Sequence, residues 1–212
     1  MNEDYWENFY RSHKRSRHSS FADFVATRIS GQASLFEFGC GDGRDAAWFS
    51  RALGWNVIAS DRVVGGWESA EPKKASDDSP GTLAFFILDL SDFDEIAECI
   101  RGLFRPTGTA TNVFYSRFVL HSISSEEESN LLAAVAAYGP KRHKVCFEYR
   151  SLDDVSTPKT FGSHDRRYID HAGLLDRLTQ MGYEIEFEVM GRGLAVFGDE
   201  DPHVGRVIAA RA

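Results

Sequence analysis

The amino-acid sequence predicts an α/β fold: a mostly parallel sheet of seven strands, with helices on both faces and the last strand antiparallel. Three observations carry this reading. After about residue 33, short apolar runs alternate with amphipathic stretches, the pattern of buried strands and the helices that cover them. The first apolar run leads into three closely spaced glycines and then a helix-forming stretch. The last two apolar runs have no helical stretch between them. Parallel neighbours need a long crossover and antiparallel ones do not, so the final strand is expected to run against the others.

The elements follow in order. Asp4–Ile29 carries Trp6, Phe9, Tyr10, Phe21, Phe24 and Val25 at helical spacing, so residues 1–30 are expected to form a helical lid on a domain spanning 31–212. Strands are expected at Ser34–Phe38, Asn56–Ser60, Leu83–Leu88, Asn112–Ser116, Lys144–Tyr149, Glu184–Met190 and Val204–Ala210. Helices are expected at Arg44–Leu53, Asp92–Leu103, Glu126–Tyr138 and Asp170–Met181, with Gly54 and Gly182 as C-terminal stops. Val64–Gly81 and Arg150–Tyr168 read as long polar connections, which in a domain of this size tend to serve function.

Composition narrows the function. A net charge of -8 over 212 residues disfavours a nucleic-acid partner, because phosphate backbones are bound by basic faces. The short basic stretch Lys14–His18 reads as solvated, steering an anionic substrate at most. Cys40, Cys99 and Cys146 lie in or beside apolar runs without metal-type spacing, so reduced buried thiols and no metal are expected. No apolar run approaches the roughly 18 residues of a membrane span. The opening residues are acidic and aromatic, unlike a signal peptide. The expected location is the cytoplasm.

The richest segment is Ser34-Leu-Phe-Glu-Phe-Gly-Cys-Gly-Asp-Gly-Arg-Asp45. Its glycines let the chain turn sharply and let a ligand approach the backbone, and the helix that follows offers unpaired N–H groups. A dinucleotide site wants its third glycine where Arg44 stands, so a nicotinamide-dependent oxidoreductase is disfavoured. Asp61 closes the second strand, 18 residues after Gly43, where a carboxylate can accept both hydroxyls of a ribose. Asp89 closes the third. Each aspartate alone could be a turn former or a helix cap.

Taken together, Glu37-x-Gly39-x-Gly41-x-Gly43, Asp61 and Asp89 resemble the class I S-adenosylmethionine-dependent methyltransferases, whose fold is Rossmann-like. The resemblance implies S-adenosylmethionine as cofactor. It places Glu37 near the ligand's amino group and Gly39, Cys40, Gly41 and Arg44 along the methionine and ribose. Asp61 and Arg62 fall at the ribose, and Asp89 at the adenine amino group with the Leu90 N–H beside the ring. It matches Asn112–His121 to the strand that ends beside the transferable methyl, with Ser116 and Arg117 at the reaction centre. Tyr10 and Phe21 would cover the pocket, or simply pack as an aromatic helix.

The acceptor is less constrained. Arg117, Arg150, His164 and Arg167 lie on strand ends and loops where open α/β sheets bind ligands, and guanidinium forks suit a phosphate or carboxylate. A solvated loop with local ion pairs is the other reading of that cluster. For a hydroxyl acceptor His121 or Glu148 is the candidate base, with His121 equally readable as a packing residue. The pattern Tyr115-Ser-Arg-Phe-x-Leu-His121 with Glu148-x-Arg150 resembles a small bacterial subgroup associated with surface-polysaccharide and sugar-phosphate pathways. It implies a small anionic or sugar-type acceptor, methylated on oxygen. The alternative from another class is a non-catalytic cofactor-binding or partner protein on the same fold.

Overall fold

The computed structural model describes residues 17–63, 81–104, 108, 110–157 and 166–211. Tyr10, Trp6 and His164 therefore lie outside the described residues, as do the basic stretch at 14–16, nearly all of the first long connection and residues 158–165 of the second.

The elements run α1 (Ser20–Arg28), β1 (Ala33–Phe38), α2 (Arg44–Leu53), β2 (Asn56–Asp61), β3 (Leu83–Ile87), α3 (Phe93–Leu103), β4 (Thr111–Arg117), α4 (Ser125–Tyr138), β5 (His143–Arg150), a 3-10 turn (Leu152–Asp154), α5 (His171–Gln180), β6 (Glu184–Gly191) and β7 (Val204–Arg211). All seven expected strands and the four expected helices are present, their ends displaced by one residue at most.

The sheet order is β3-β2-β1-β4-β5-β7-β6. Strands β1 to β5 pair in parallel, and β7 is antiparallel to both β5 and β6. Strand order reverses between β1 and β4, the kind of crevice where open α/β sheets bind ligands at their carboxyl edge.

Local chemistry explains the helix boundaries. Ser19 caps α1 by accepting from the Ala22 N–H at 3.1 Å, and Asp92 caps α3 from the Glu95 N–H at 3.0 Å. Ser124 and Glu127 form a reciprocal capping box on α4. Gly54, at φ 71°, ends α2 in the left-handed conformation.

The two faces bury separate cores. Phe36, Phe38, Phe114 and Phe147 face α3, α4 and α5, packing with Ile96, Leu131 and Leu174. Leu35, Val57, Val113 and Tyr115 face α1 and α2, packing with Phe21, Val25 and Phe49. The alternation along each strand delivers one residue to each layer. It also puts Glu37, Arg117, Glu148 and Arg206 on the α1 and α2 face, since each lies at even spacing from a residue of that core.

Candidate functional site

The turn after β1 is built from glycines in left-handed conformation: Gly39 at φ 69°, Gly41 at 57° and Gly43 at 71°. Gly39 has a second constraint, because a Cβ there would lie 2.1 Å from Cγ2 of Val119. The turn therefore packs directly on the segment that follows β4. Gly43 is the N-cap of α2 and brings no side-chain cap, so the first amides of that helix depend on other partners.

Asp61 holds the turn from the next strand. Its Oδ2 accepts from the Gly41 N–H at 2.7 Å, and its Oδ1 from the Val63 N–H at 3.2 Å. A carboxylate has about four acceptor sites, so two ribose hydroxyls remain compatible with these bonds. Burial raises the Asp61 pKa, against the backbone N–H groups that lower it.

Glu37 is 3% exposed, and its Oε2 has no hydrogen-bond partner among the described residues. Burial pushes its carboxyl well above the usual range, and the neighbouring Asp45, Asp42 and Asp61 push it further, opposed by Arg44. Cys40, in the same turn, is pushed up by burial and by Asp61 and Glu37.

Asp89 accepts from the Ser91 N–H at 2.9 Å and pairs with Arg62 Nη2 at 3.1 Å. Partial desolvation opposes ionisation, but Ser91 and Arg62 outweigh it and hold the carboxyl below its ordinary value. Arg62 also approaches Glu127 at 3.5 Å, linking the ends of β2 and β3 to the start of α4. Leu90 is buried in the α3 and α4 core. Glu37, Asp61 and Asp89 thus stand at the ends of three consecutive strands, β1 to β3.

The exit of β4 is unusual. Ser116 is fully buried, pairs in register with Phe38, and its Oγ has no partner among the described residues. Phe118 follows at φ 61°, the one positive φ among described non-glycine residues. Left-handed backbone costs a bulky residue about 1–2 kcal/mol, and such strain gathers at functional sites. The Phe118 ring receives Arg117 Cζ at 4.3 Å and Arg150 Cζ at 5.7 Å, and meets His121 edge-on at 5.2 Å.

His121 is buried, and its Nδ1 accepts from the Arg150 N–H at 3.1 Å. That bond leaves the proton of a neutral ring on Nε2. The His121 carbonyl accepts from the Arg167 N–H at 2.8 Å.

Of the three arginines expected to converge on an acceptor, Arg150 and Arg167 each have carboxylate partners. Arg150 pairs with Asp154 at 2.6 Å and with Glu200. Arg167 pairs with Glu128 and donates to the Leu120 carbonyl at 3.0 Å. Glu148, one of the two candidate bases, is fully buried between Arg117 and Arg206, both of whose Nε groups donate to it. In this arrangement it is the counter-ion of two guanidinium groups, one on each oxygen.

Other residues of the site carry no motif. Asp45 accepts from the Ser19 N–H and hydroxyl, both at 2.6 Å, and from the Tyr115 hydroxyl at 2.7 Å. It ties the start of α1 to the glycine turn, and Arg44 reaches the Arg17 carbonyl at 3.4 Å beside it. Phe21, read from the sequence as either a pocket cover or a packing aromatic, is a core residue stacked on Tyr115 at 5.1 Å. Ser19 occupies the position near the turn. Arg206 had one sequence signal, a lone charge within the apolar run Val204–Ala210.

Among the described residues, no group of three or more His, Cys, Asp or Glu side chains could hold a metal ion. No described helix is long and apolar enough to cross a membrane.

No family model matches this chain, and no curated protein is similar to it in sequence. Solved structures are similar to it in fold. A SAM-dependent methyltransferase from Anabaena variabilis superposes with a TM-score of 0.70 at 16% identity, covering 99% of this chain and 93% of its own. One from Methanosarcina mazei gives 0.65 at 14%, covering 89% and 96%. A glycopeptide N-methyltransferase gives 0.62 at 16%, covering 93% and 97%. The chain has the Rossmann-like fold of the SAM-dependent methyltransferases, with its acidic strand ends lying on the carboxyl edge of that sheet.

Proposed function

We propose that this chain is an S-adenosylmethionine-dependent methyltransferase, its cofactor lying across the carboxyl ends of β1, β2 and β3. One observation carries the reading: a buried Glu37 oxygen without a partner, crowded by Asp42, Asp45 and Asp61. Such a group is costly in the free protein. A ligand bearing an ammonium and a sulfonium offsets that cost. Asp61 suits the ribose, Asp89 and the Leu90 N–H the adenine, and Arg62 the edge between them. Gly39, Cys40, Gly41 and Arg44 are the proposed lining of the methionine end, and Ser116 of the methyl. Tyr10 and the chain before Ser19 are proposed as the cover. The fold likeness to SAM-dependent methyltransferases supports the same reading.

When bound, the cofactor supplies a methyl group on a sulfonium, and the chain's part is to align an acceptor in line with it. The acceptor we propose is a small anionic molecule, a sugar bearing a phosphate or carboxylate among the candidates, methylated on an oxygen that is already ionised. Each Glu148 oxygen accepts from a guanidinium, and His121 Nδ1 accepts from the Arg150 N–H. An ionised carboxylate or phosphate oxygen needs no base. Arg150 and Arg167 act on this site through His121, which their N–H groups hold.

Isothermal titration with S-adenosylhomocysteine and with NAD tests the proposal. The first is expected to bind wild type and to lose most of its affinity to Glu37→Gln, and the second not to bind. NAD binding without S-adenosylhomocysteine binding overturns it.

A further inference from the structure

Arg117, Glu148 and Arg206 form one buried row across three strands, β4, β5 and β7, in direct register. Arg117 Nε donates to one oxygen of Glu148 at 2.8 Å, and Arg206 Nε to the other at 2.7 Å. Arg206 is fixed further by its Nη2, which donates to Ser20 Oγ at 2.9 Å and to the Leu194 carbonyl at 2.6 Å. Arg117 differs. Its Nε makes the only hydrogen bond of its guanidinium among the described residues. The Phe118 ring lies 4.3 Å from its Cζ, and the Nη groups of the fork make no hydrogen bond among the described residues.

The row holds two guanidinium groups against one carboxylate, so it carries a surplus positive charge. Next to it stands the opposite imbalance. Glu37 pairs in register with Tyr115, two residues before Arg117. The two side chains therefore leave the same face of adjacent strands, diagonal neighbours within reach of long side chains. A carboxyl oxygen lacking a partner beside a guanidinium edge lacking one is the complement of an α-amino acid, whose ammonium and carboxylate sit on one carbon.

We infer that the outer edge of Arg117 takes the carboxylate of the cofactor's amino-acid end while Glu37 takes its ammonium, and that Arg206 is a positioning residue for Arg117. This rests on the S-adenosyl reading above. The role of Arg206 follows from Glu148. With Arg206 in place, each oxygen of Glu148 has its own guanidinium. Without it, the freed oxygen turns to Arg117 in the bidentate fork that such pairs favour, and the outer edge is withdrawn from the ligand.

The test titrates three ligands: S-adenosylhomocysteine, its decarboxylated analogue that keeps the amine, and 5′-methylthioadenosine, which has neither group. Loss of a charge-assisted bond corresponds to about ten- to a hundredfold in affinity. Wild type is expected to prefer S-adenosylhomocysteine over the decarboxylated analogue by that factor. In Arg117→Met the preference is expected to collapse towards one, with 5′-methylthioadenosine bound as in wild type. In Arg206→Met it is expected to fall by at least about threefold, again with 5′-methylthioadenosine unchanged, and Arg206→Lys is expected to restore it. A merely structural Arg206 would weaken all three ligands together, which overturns its positioning role. A wild type that binds the first two ligands equally, or an Arg117→Met that keeps the preference, overturns the carboxylate site alone. A wild type that binds none of the three overturns the S-adenosyl reading as well.

Discussion

The N–H of Gly41 donates to Asp61 Oδ2 at 2.7 Å, so the glycine turn after β1 is held by the carboxylate that ends β2. One side chain thereby shapes the turn and, on the proposed reading, grips the ribose. Asp61→Ala is expected to do two things. It leaves the Gly41 amide without its acceptor, destabilising the free protein by about 1–3 kcal/mol. It also lowers S-adenosylhomocysteine affinity by at least about tenfold. Urea denaturation and calorimetric titration read the two effects separately. Loss of stability without loss of affinity would leave Asp61 as a turn-former only.

Gly39→Ala meets both a left-handed backbone and Cγ2 of Val119. The backbone costs about 1–2 kcal/mol and the overpacking about 1–3 kcal/mol more. Adding Val119→Ala is expected to recover part of the second cost and none of the first. A double-mutant cycle showing strictly additive losses would mean the turn and the β4 exit do not press on one another.

Glu37 sets a pH dependence with a definite sign. Its folded pKa is raised by burial and by Asp45 and Asp42, so its stabilising contribution is full below the unfolded pKa. That contribution is lost as pH rises through the folded value. In the free protein, Glu37→Gln is therefore expected to raise stability at neutral and higher pH and to flatten the stability profile. Binding an ammonium requires the ionised form, so wild-type affinity for S-adenosylhomocysteine should rise with pH and binding should release a proton. Titrations in two buffers of different ionisation enthalpy measure that release. Proton uptake instead would contradict the assignment.

Arg150 is buried between Asp154 and Glu200. Removing it alone leaves two buried carboxylates unmatched, so Arg150→Met is expected to cost about 3–5 kcal/mol. Combining it with Asp154→Asn and Glu200→Gln should return much of this. Chemical denaturation of the two variants checks it. If Arg150→Met folds with wild-type stability, the ion pairs are not what holds the β5 exit.

Much of this architecture was readable from the chain. The strand ends at Glu37, Asp61 and Asp89, the glycine turn and the reversed last strand follow from local patterns: period, glycine spacing and the absence of a crossover. The partners of the charged residues do not. Asp45 meets Ser19 and Tyr115, Glu148 meets Arg206, and Arg150 meets Glu200. These pairs are made across strands and loops, and periodicity reports which face a residue takes but not which distant residue shares it. Local patterns leave Arg150 and Arg167 open between anion forks and local ion pairs and make Glu148 a candidate base; the carboxylates and guanidinium groups that pair with them come from distant strands and loops. Phe21 stays open for a related reason: an aromatic at helical spacing reads alike whether it faces a ligand or the Tyr115 ring.

A crystal structure with S-adenosylhomocysteine bound tests the central claim most directly. The ligand's amino nitrogen is expected within hydrogen-bonding distance of Glu37 Oε2, both ribose hydroxyls on Asp61, and the adenine against Asp89 and Leu90. An S-adenosylhomocysteine found elsewhere on the sheet edge, with Glu37 Oε2 still lacking a partner, would contradict it.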